Sequence, residues 1–197
     1  MSTNSKHPGQ FRFTVIAGDL KGRHISAPDL GITRPPLSRI RRSIFDFLNP
    51  YLVGASYLDL FSGTGSYLFE AVSRGVSKAV GIEQEPRLAG SINAHAEKFG
   101  VAERLECRQE DVFKAIPRAH AGGERFDLIM MAPPQYKGLI DQTLQCLSET
   151  SLSTGNGLIL CQHDSSEKRI GFGSFPIAQT RRYGNTTFTI LRALPGS

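Results

Sequence analysis

From residue 57 onward, short apolar runs alternate with stretches of helical period, and the alternation predicts a layered sheet. Residues 57–61, 79–83, 105–108, 126–131 and 158–162 are the expected strands, apolar enough to be buried on both faces. Residues 68–74, 87–99 and 139–149 are the expected helices between them. Such a βαβα rhythm implies a parallel sheet joined by right-handed crossovers. The second of these helices is the best marked. Pro86 suits its first turn, Leu88, Ile92 and Phe99 repeat on one face, and Gly100 can adopt the left-handed conformation that ends it.

The two ends of the chain depart from this rhythm. Residues 177–183 and 186–191 are β-prone runs separated by Gly184-Asn185, a dipeptide suited to a tight hairpin, so the sheet is expected to finish antiparallel. Near the start, Arg34-Pro35-Pro36 precedes an amphipathic helix over 37–48, whose apolar stripe is Leu37, Ile40, Ile44, Phe45 and Leu48. Arg39 and Arg42 lie together on another face of it.

At 197 residues the chain suits a single α/β domain. The expected organisation is a loose polar terminus over 1–10, a basic arm of strand and helix over 11–50, and a core over 51–197. Hydrophobic residues make up 40% and no apolar run approaches the roughly 20 residues that span a bilayer. With no secretory signal in the polar first ten residues, the expected location is the cytoplasm, with no membrane partner. Cys107, Cys146 and Cys161 are isolated and the five histidines lack ligand spacing, so neither a disulfide framework nor a metal site is expected.

Charge divides unevenly. Residues 1–58 hold eight Lys/Arg against three Asp/Glu, whereas residues 59–197 hold fifteen of each, so the whole net +5 sits in the first segment. Lys and Arg neutralise phosphates and release counterions, which makes this segment a candidate polyanion-binding arm; an ordinary solvated basic surface is the alternative.

The chemistry concentrates at predicted strand ends. Asp59-Leu60-Phe61-Ser62-Gly63-Thr64-Gly65 falls where the first core strand turns into a helix, and glycines there let backbone approach a nucleotide-like ligand. A dinucleotide fingerprint needs a third glycine at 68, which is Leu68, so pyrophosphate is disfavoured. A cationic cofactor without phosphates fits better, because Asp59 places negative charge beside a sulfonium and an amino-acid moiety. Glu83, followed by Gln84, ends the next strand where a carboxylate can accept both ribose hydroxyls. Asp111 follows the third, placed for an adenine amino group with Val112 near the ring. Any one of these acids could be a helix N-cap, but three successive strand ends each supplying the expected group point to S-adenosylmethionine.

The fourth core strand ends in Ala132-Pro133-Pro134-Gln135-Tyr136, and with it the chain resembles the RsmD family of bacterial methyltransferases that modify guanine N2 in small-subunit ribosomal RNA. The likeness runs from about Phe13 to Leu191. It includes Ile16-Ala17-Gly18 with Lys21-Gly22-Arg23, then Arg34-Pro35 with Arg39-Ile40-Arg41. The Asp59 to Gly65 loop follows, with Glu70-Ala71 and Ser73-Arg74-Gly75, and finally Arg182-Tyr183-Gly184-Asn185-Thr186. The resemblance implies a Rossmann-like class I methyltransferase fold with a mostly parallel seven-stranded sheet. It also implies S-adenosylmethionine as cofactor, ribosomal RNA or the small subunit as partner, and a monomer. Lys21, Arg23, Arg34, Arg39, Arg41, Arg42 and Tyr183 are then the expected RNA contacts.

Two departures bear on catalysis. The family has Asp-Pro-Pro followed by Tyr or Phe, whereas this chain has Ala132 and Gln135; a third departure is Arg42, where the family tends to have an acid. The lone pair of an exocyclic amine is delocalised into the base, so the site must hold the amine and accept its hydrogen bonds. Ala132 leaves the Pro133 carbonyl as one acceptor, and Tyr136 stands one position beyond the expected stacking aromatic. The alternative they raise is a degenerate relative that binds cofactor or RNA without methyl transfer. A nicotinamide oxidoreductase would explain the fold but neither the proline pair nor the basic arm.

Overall fold

The computed structural model describes residues 9–31, 36–135, 137–167 and 171–193. A seven-stranded sheet has the order β5-β4-β3-β6-β7-β9-β8. Its parallel strands are β3 (Ser56–Asp59), β4 (Lys78–Glu83), β5 (Leu105–Gln109), β6 (Phe126–Met131) and β7 (Ser153–Asp164). β9 (Thr186–Arg192) runs antiparallel beside β7, and β8 (Ile177–Tyr183) closes the edge. The expected mixed sheet is therefore present. Gly184, at φ 62°, and Asn185 make the hairpin between Tyr183 and Thr186.

Among the described residues, five helices cover the two faces. On one face, α1 (Ser38–Leu52), α2 (Ser66–Ser73) and α3 (Pro86–Lys98) bury Ile44, Phe45, Leu68, Phe69 and Ile92 against the sheet. On the other, α4 (Val112–Ala121) and α5 (Leu139–Ser148) bury Ile116, Ile140 and Leu144. The sequence reading did not anticipate α4. Pro117 lies inside it and obscured a sound apolar stripe of Val112, Ala115, Ile116 and Ala119. Pro50 likewise shortened the expected first helix, which continues to Leu52. Both prolines are exposed, so the carbonyls they leave without helical partners can be solvated.

A separate hairpin, β1 (Gln10–Thr14) with β2 (His24–Pro28), begins the described chain and is fastened to α2. Ser73 accepts the Leu20 amide on Oγ at 2.9 Å and the Asp19 amide on its carbonyl at 2.8 Å. The approach is close enough to require glycine at 18: φ is +79°, and a Cβ would stand 1.7 Å from the Ser73 carbonyl oxygen. No helix among the described residues is long and apolar enough to cross a membrane.

Candidate functional site

The parallel strands deliver their carboxyl ends to one side of the sheet, and in spatial order these carry Asp111, Glu83, Asp59, Ala132 and Gln162. Ligands of open α/β sheets bind along such a row. The loop after β3 is folded by its own backbone. Leu60 donates to the Met130 carbonyl at 3.0 Å, Ser62 to the Ile82 carbonyl at 3.0 Å, and Gly65 to the Ser62 carbonyl at 2.8 Å.

The two loop glycines serve different ends. Gly63, at φ 51°, turns its amide onto Glu83 Oε2 at 2.7 Å. Gly65, at φ 78°, is needed for packing, since a Cβ would stand 2.7 Å from Ile92 Cγ1 of α3. Gly81 in β4 makes comparable room for Leu68 and Ser62, where a Cβ would lie 2.5 Å and 2.6 Å from side-chain atoms.

The acids differ in how far the protein already satisfies them. Glu83 holds the Gly63 amide on one oxygen and the Glu85 amide, at 2.9 Å, on the other, so it locks two loops while keeping lone pairs on both. Burial raises its pKa and these amides oppose the rise. Asp111 is the N-cap of α4, accepting the Phe113 amide on Oδ1 at 2.9 Å, which is the alternative role the sequence left open. Val112 starts that helix and is buried; Phe61 is half-buried against the same core, and Gln84 is exposed.

Asp59 is the exception. It is fully buried, Oδ1 accepts the Phe61 amide at 3.3 Å, and Oδ2 has no hydrogen-bond partner. Burial pushes its carboxyl up to about 7, the Phe61 amide pulls it down, and Glu83 adds to the rise. A buried carboxylate oxygen without a donor is costly unless a ligand supplies one. Asp59 therefore fits the cationic end of S-adenosylmethionine.

On the other half of the row, Ala132 packs against the α1–α3 side of the core, Pro133 is buried, and Pro134 and Gln135 are exposed. Tyr136 lies outside the described residues, as does Arg34. A shallow depression is lined by Pro133, Pro134, Gln135, Leu139, Ile140, Gln162 and Glu167. Tyr67, in the first turn of α2, donates its hydroxyl to Gln162 Oε1 at 2.6 Å, linking the helix that follows the β3 loop to the end region of β7. The sequence reading passed over Gln162. It is the polar residue that ends the apolar run from Leu158, the same signal that marked Asp59 and Glu83.

The expected RNA contacts separate into two groups. Lys21, Arg23, Arg39 and Arg42 are exposed, and the Arg23 guanidinium lies 5.6 Å from the Phe99 ring centre. Arg41 is a correction: it is 1% exposed and cannot reach an RNA phosphate. Its Nη2 donates to the Thr14 carbonyl at 2.6 Å, and Nε lies 3.6 Å from Glu70 Oε2. The helical period explains this, since Arg41 lies beside Ile40, Ile44 and Leu48 rather than on the face of Arg39 and Arg42. Tyr183 is half-buried, edge-on to Phe188 at 6.2 Å. Among the described residues no group of three potential metal ligands occurs.

A family model described as conserved hypothetical protein 95 matches residues 13–192. Ribosomal RNA small subunit methyltransferase D of Escherichia coli is 27% identical over 160 residues, 80% of this chain and 78% of that protein. Among solved structures, the yhhF protein of E. coli superposes with a TM-score of 0.82 at 19% identity, covering 93% of this chain and 99% of that one. An RNA methyltransferase from Salinibacter ruber, in complex with S-adenosyl-L-homocysteine, gives a TM-score of 0.65 at 17% identity over 83% of this chain and 96% of that one. With the family model spanning both the arm and the core, the chain belongs to the conserved hypothetical protein 95 family, that of the RsmD methyltransferases.

Proposed function

We propose that the protein is an S-adenosylmethionine-dependent methyltransferase acting on the exocyclic N2 of a guanine in small-subunit ribosomal RNA, in the cytoplasm and as a monomer. The observation that carries this reading is the row of strand ends: a cation-seeking Asp59, a ribose-type acceptor at Glu83 and the proline pair on adjacent β6. The cofactor supplies the methyl group. Asp59 neutralises its amino-acid end, Glu83 accepts the ribose hydroxyls with lone pairs its two amides leave open, and Asp111 accepts the adenine amino group on its second oxygen.

On the substrate side, the Pro133 carbonyl accepts one hydrogen bond of the target amine, and the stiffness of Pro133-Pro134 holds it in place. Ala132 brings no carboxylate. Gln162 is a poor substitute because its carbonyl is already taken by Tyr67. Gln135 is exposed beside the prolines and its side-chain carbonyl can accept the second bond. Tyr136 then stacks on the base, a contact worth roughly 1–3 kcal/mol. The proton released from the amine leaves to water past exposed Pro134 and Gln135.

The test is single-turnover methyl transfer from labelled cofactor to small subunits lacking the modification, comparing the parent with Ala132→Asp, Gln135→Ala and Tyr136→Ala. The parent is expected to be slow but active, and Gln135→Ala to lose about 100- to 1,000-fold, the usual cost of a preorganised partner. Ala132→Asp alone restores little if the pocket has reorganised around Gln135. A parent indistinguishable from a no-enzyme control, with cofactor and RNA binding intact, would replace the enzyme with a binding protein.

A further inference from the structure

A finer division of the charge reveals a second basic segment. Residues 59–167 hold ten Lys/Arg and fifteen Asp/Glu, whereas residues 168–197 hold five Lys/Arg and no acid at all. The surplus at the start of the chain is thus matched by an equal surplus at its end. Two of the late cations, Arg181 and Arg182, stand near the end of β8 on the sheet edge.

The register fixes where that is. Gln162 of β7 pairs with Phe188 of β9, which pairs with Arg181 of β8. Arg181 is therefore two strand spacings, about 10 Å, from the residue that borders the depression at Pro133 and Pro134. Antiparallel pairing carries β8 back to the carboxyl ends of the parallel strands, so both arginines lie on the same side of the sheet as the site.

Arg181 is held ready without an anion. Its guanidinium lies 4.2 Å from the centre of the Phe47 ring of α1, and its Nε is buried with no hydrogen-bond partner. No carboxylate lies within ion-pair distance of Arg181 or Arg182 among the described residues, while Arg74 and Arg108 each have two and Arg118 has one. Arg182 is exposed, with Nε turned to the Gly184 carbonyl at 3.1 Å. Successive residues of a strand project to opposite faces, so the pair straddles the edge. A planar guanidinium stacked on a ring keeps its fork of donors ordered for phosphate oxygens.

We infer that this end of β8, Arg181 on its Phe47 platform together with Arg182, is a phosphate-binding edge for the RNA backbone flanking the nucleotide held at Pro133-Pro134. The inference rests on the RNA methyltransferase reading and adds Arg181 and Arg182 to the footprint of the basic arm and Tyr183. The two basic segments are far apart in sequence, and the contact of Arg181 with Phe47 joins one to the other.

The experiment is fluorescence anisotropy of the full chain with small-subunit RNA from about 50 to 200 mM salt. It compares the parent with Arg181→Ala, Arg182→Ala, the double variant, Arg181→Lys and, at the opposite end of the sheet, Arg125→Ala. Each arginine lost should flatten the slope of log affinity against log salt by about 0.7–0.9, Arg181→Lys should keep the slope, and Arg125→Ala should match the parent. Binding of S-adenosylhomocysteine checks the fold; should Arg181→Ala impair it, the exposed Arg182→Ala decides alone. A double variant with the parent's slope and affinity, or an Arg125→Ala loss as large, overturns the phosphate edge and leaves the RNA reading standing. A parent without salt-dependent RNA binding overturns both.

Discussion

Asp59, at the end of β3, and Glu70, inside α2, are both fully buried carboxylates, yet the protein treats them oppositely. Glu70 is satisfied on every side. It accepts the Ile16 amide at 3.0 Å and Arg74 Nε at 3.0 Å, and it neutralises buried Arg41. Asp59 has one long bond from the Phe61 amide and an oxygen with no partner. Glu70 is spent on fastening the N-terminal hairpin to the core, whereas Asp59 keeps an oxygen that no donor of the protein fills. Burial alone thus says nothing about whether an acid is structural; the donors around it decide.

The largest effect expected from this contrast is at Glu70. Glu70→Ala leaves Arg41, whose pKa burial already lowers, without its counter-charge and frees the Ile16 amide. A loss of about 3–5 kcal/mol in unfolding free energy is expected by urea titration, as for other broken buried pairs. A loss under about 1 kcal/mol would show that Glu70 is not what fastens the hairpin.

Asp59→Asn should behave in the reverse way. The folded protein favours the protonated carboxyl, so the stability it contributes is full at pH near 4 and is lost as pH rises through about 7; asparagine removes that loss. Unfolding free energy at pH 8 should therefore hold or rise. Binding of S-adenosylmethionine, measured by titration calorimetry, should weaken by about 1.5–3 kcal/mol. Undiminished affinity would mean that the bare oxygen does not face the cofactor's cation.

The smallest effect sharpens the same point through pH. A cation favours ionised Asp59, so cofactor affinity should fall as pH drops below about 7, approaching tenfold per pH unit. In Asp59→Asn this dependence should vanish. A parent whose affinity is flat between pH 8 and 5.5 would contradict the assignment.

The residues that the sequence made legible were those whose role follows from position in a repeating pattern. Asp59 and Glu83 end apolar strands and Gln162 ends the apolar run of β7, so the topology sends them to one side of the sheet, although Gln162 was read only as the end of a run. The split of Arg41 from Arg39 and Arg42 also follows from helical period, although the resemblance had grouped the three as RNA contacts. Pro117 hid α4 because a proline inside a helix weakens the local signal while tertiary burial of Ile116 and Ala119 overrides it.

Local pattern by itself determined the alternation of strands and helices, the closing hairpin and the acids at the strand ends, because hydrophobic period and turn chemistry act over a few residues. Only the tertiary structure decided which acid was satisfied, since beside its i,i+4 partner Arg74 Glu70 is met by the Ile16 amide and the charge of Arg41, which no local rule brings to it. It likewise decided that Gly65 serves Ile92 and that Arg181 rests on Phe47, contacts between residues 27 and 134 positions apart in the chain. Packing at such separations depends on the whole sheet being assembled, which is why it is absent from any single stretch of the sequence.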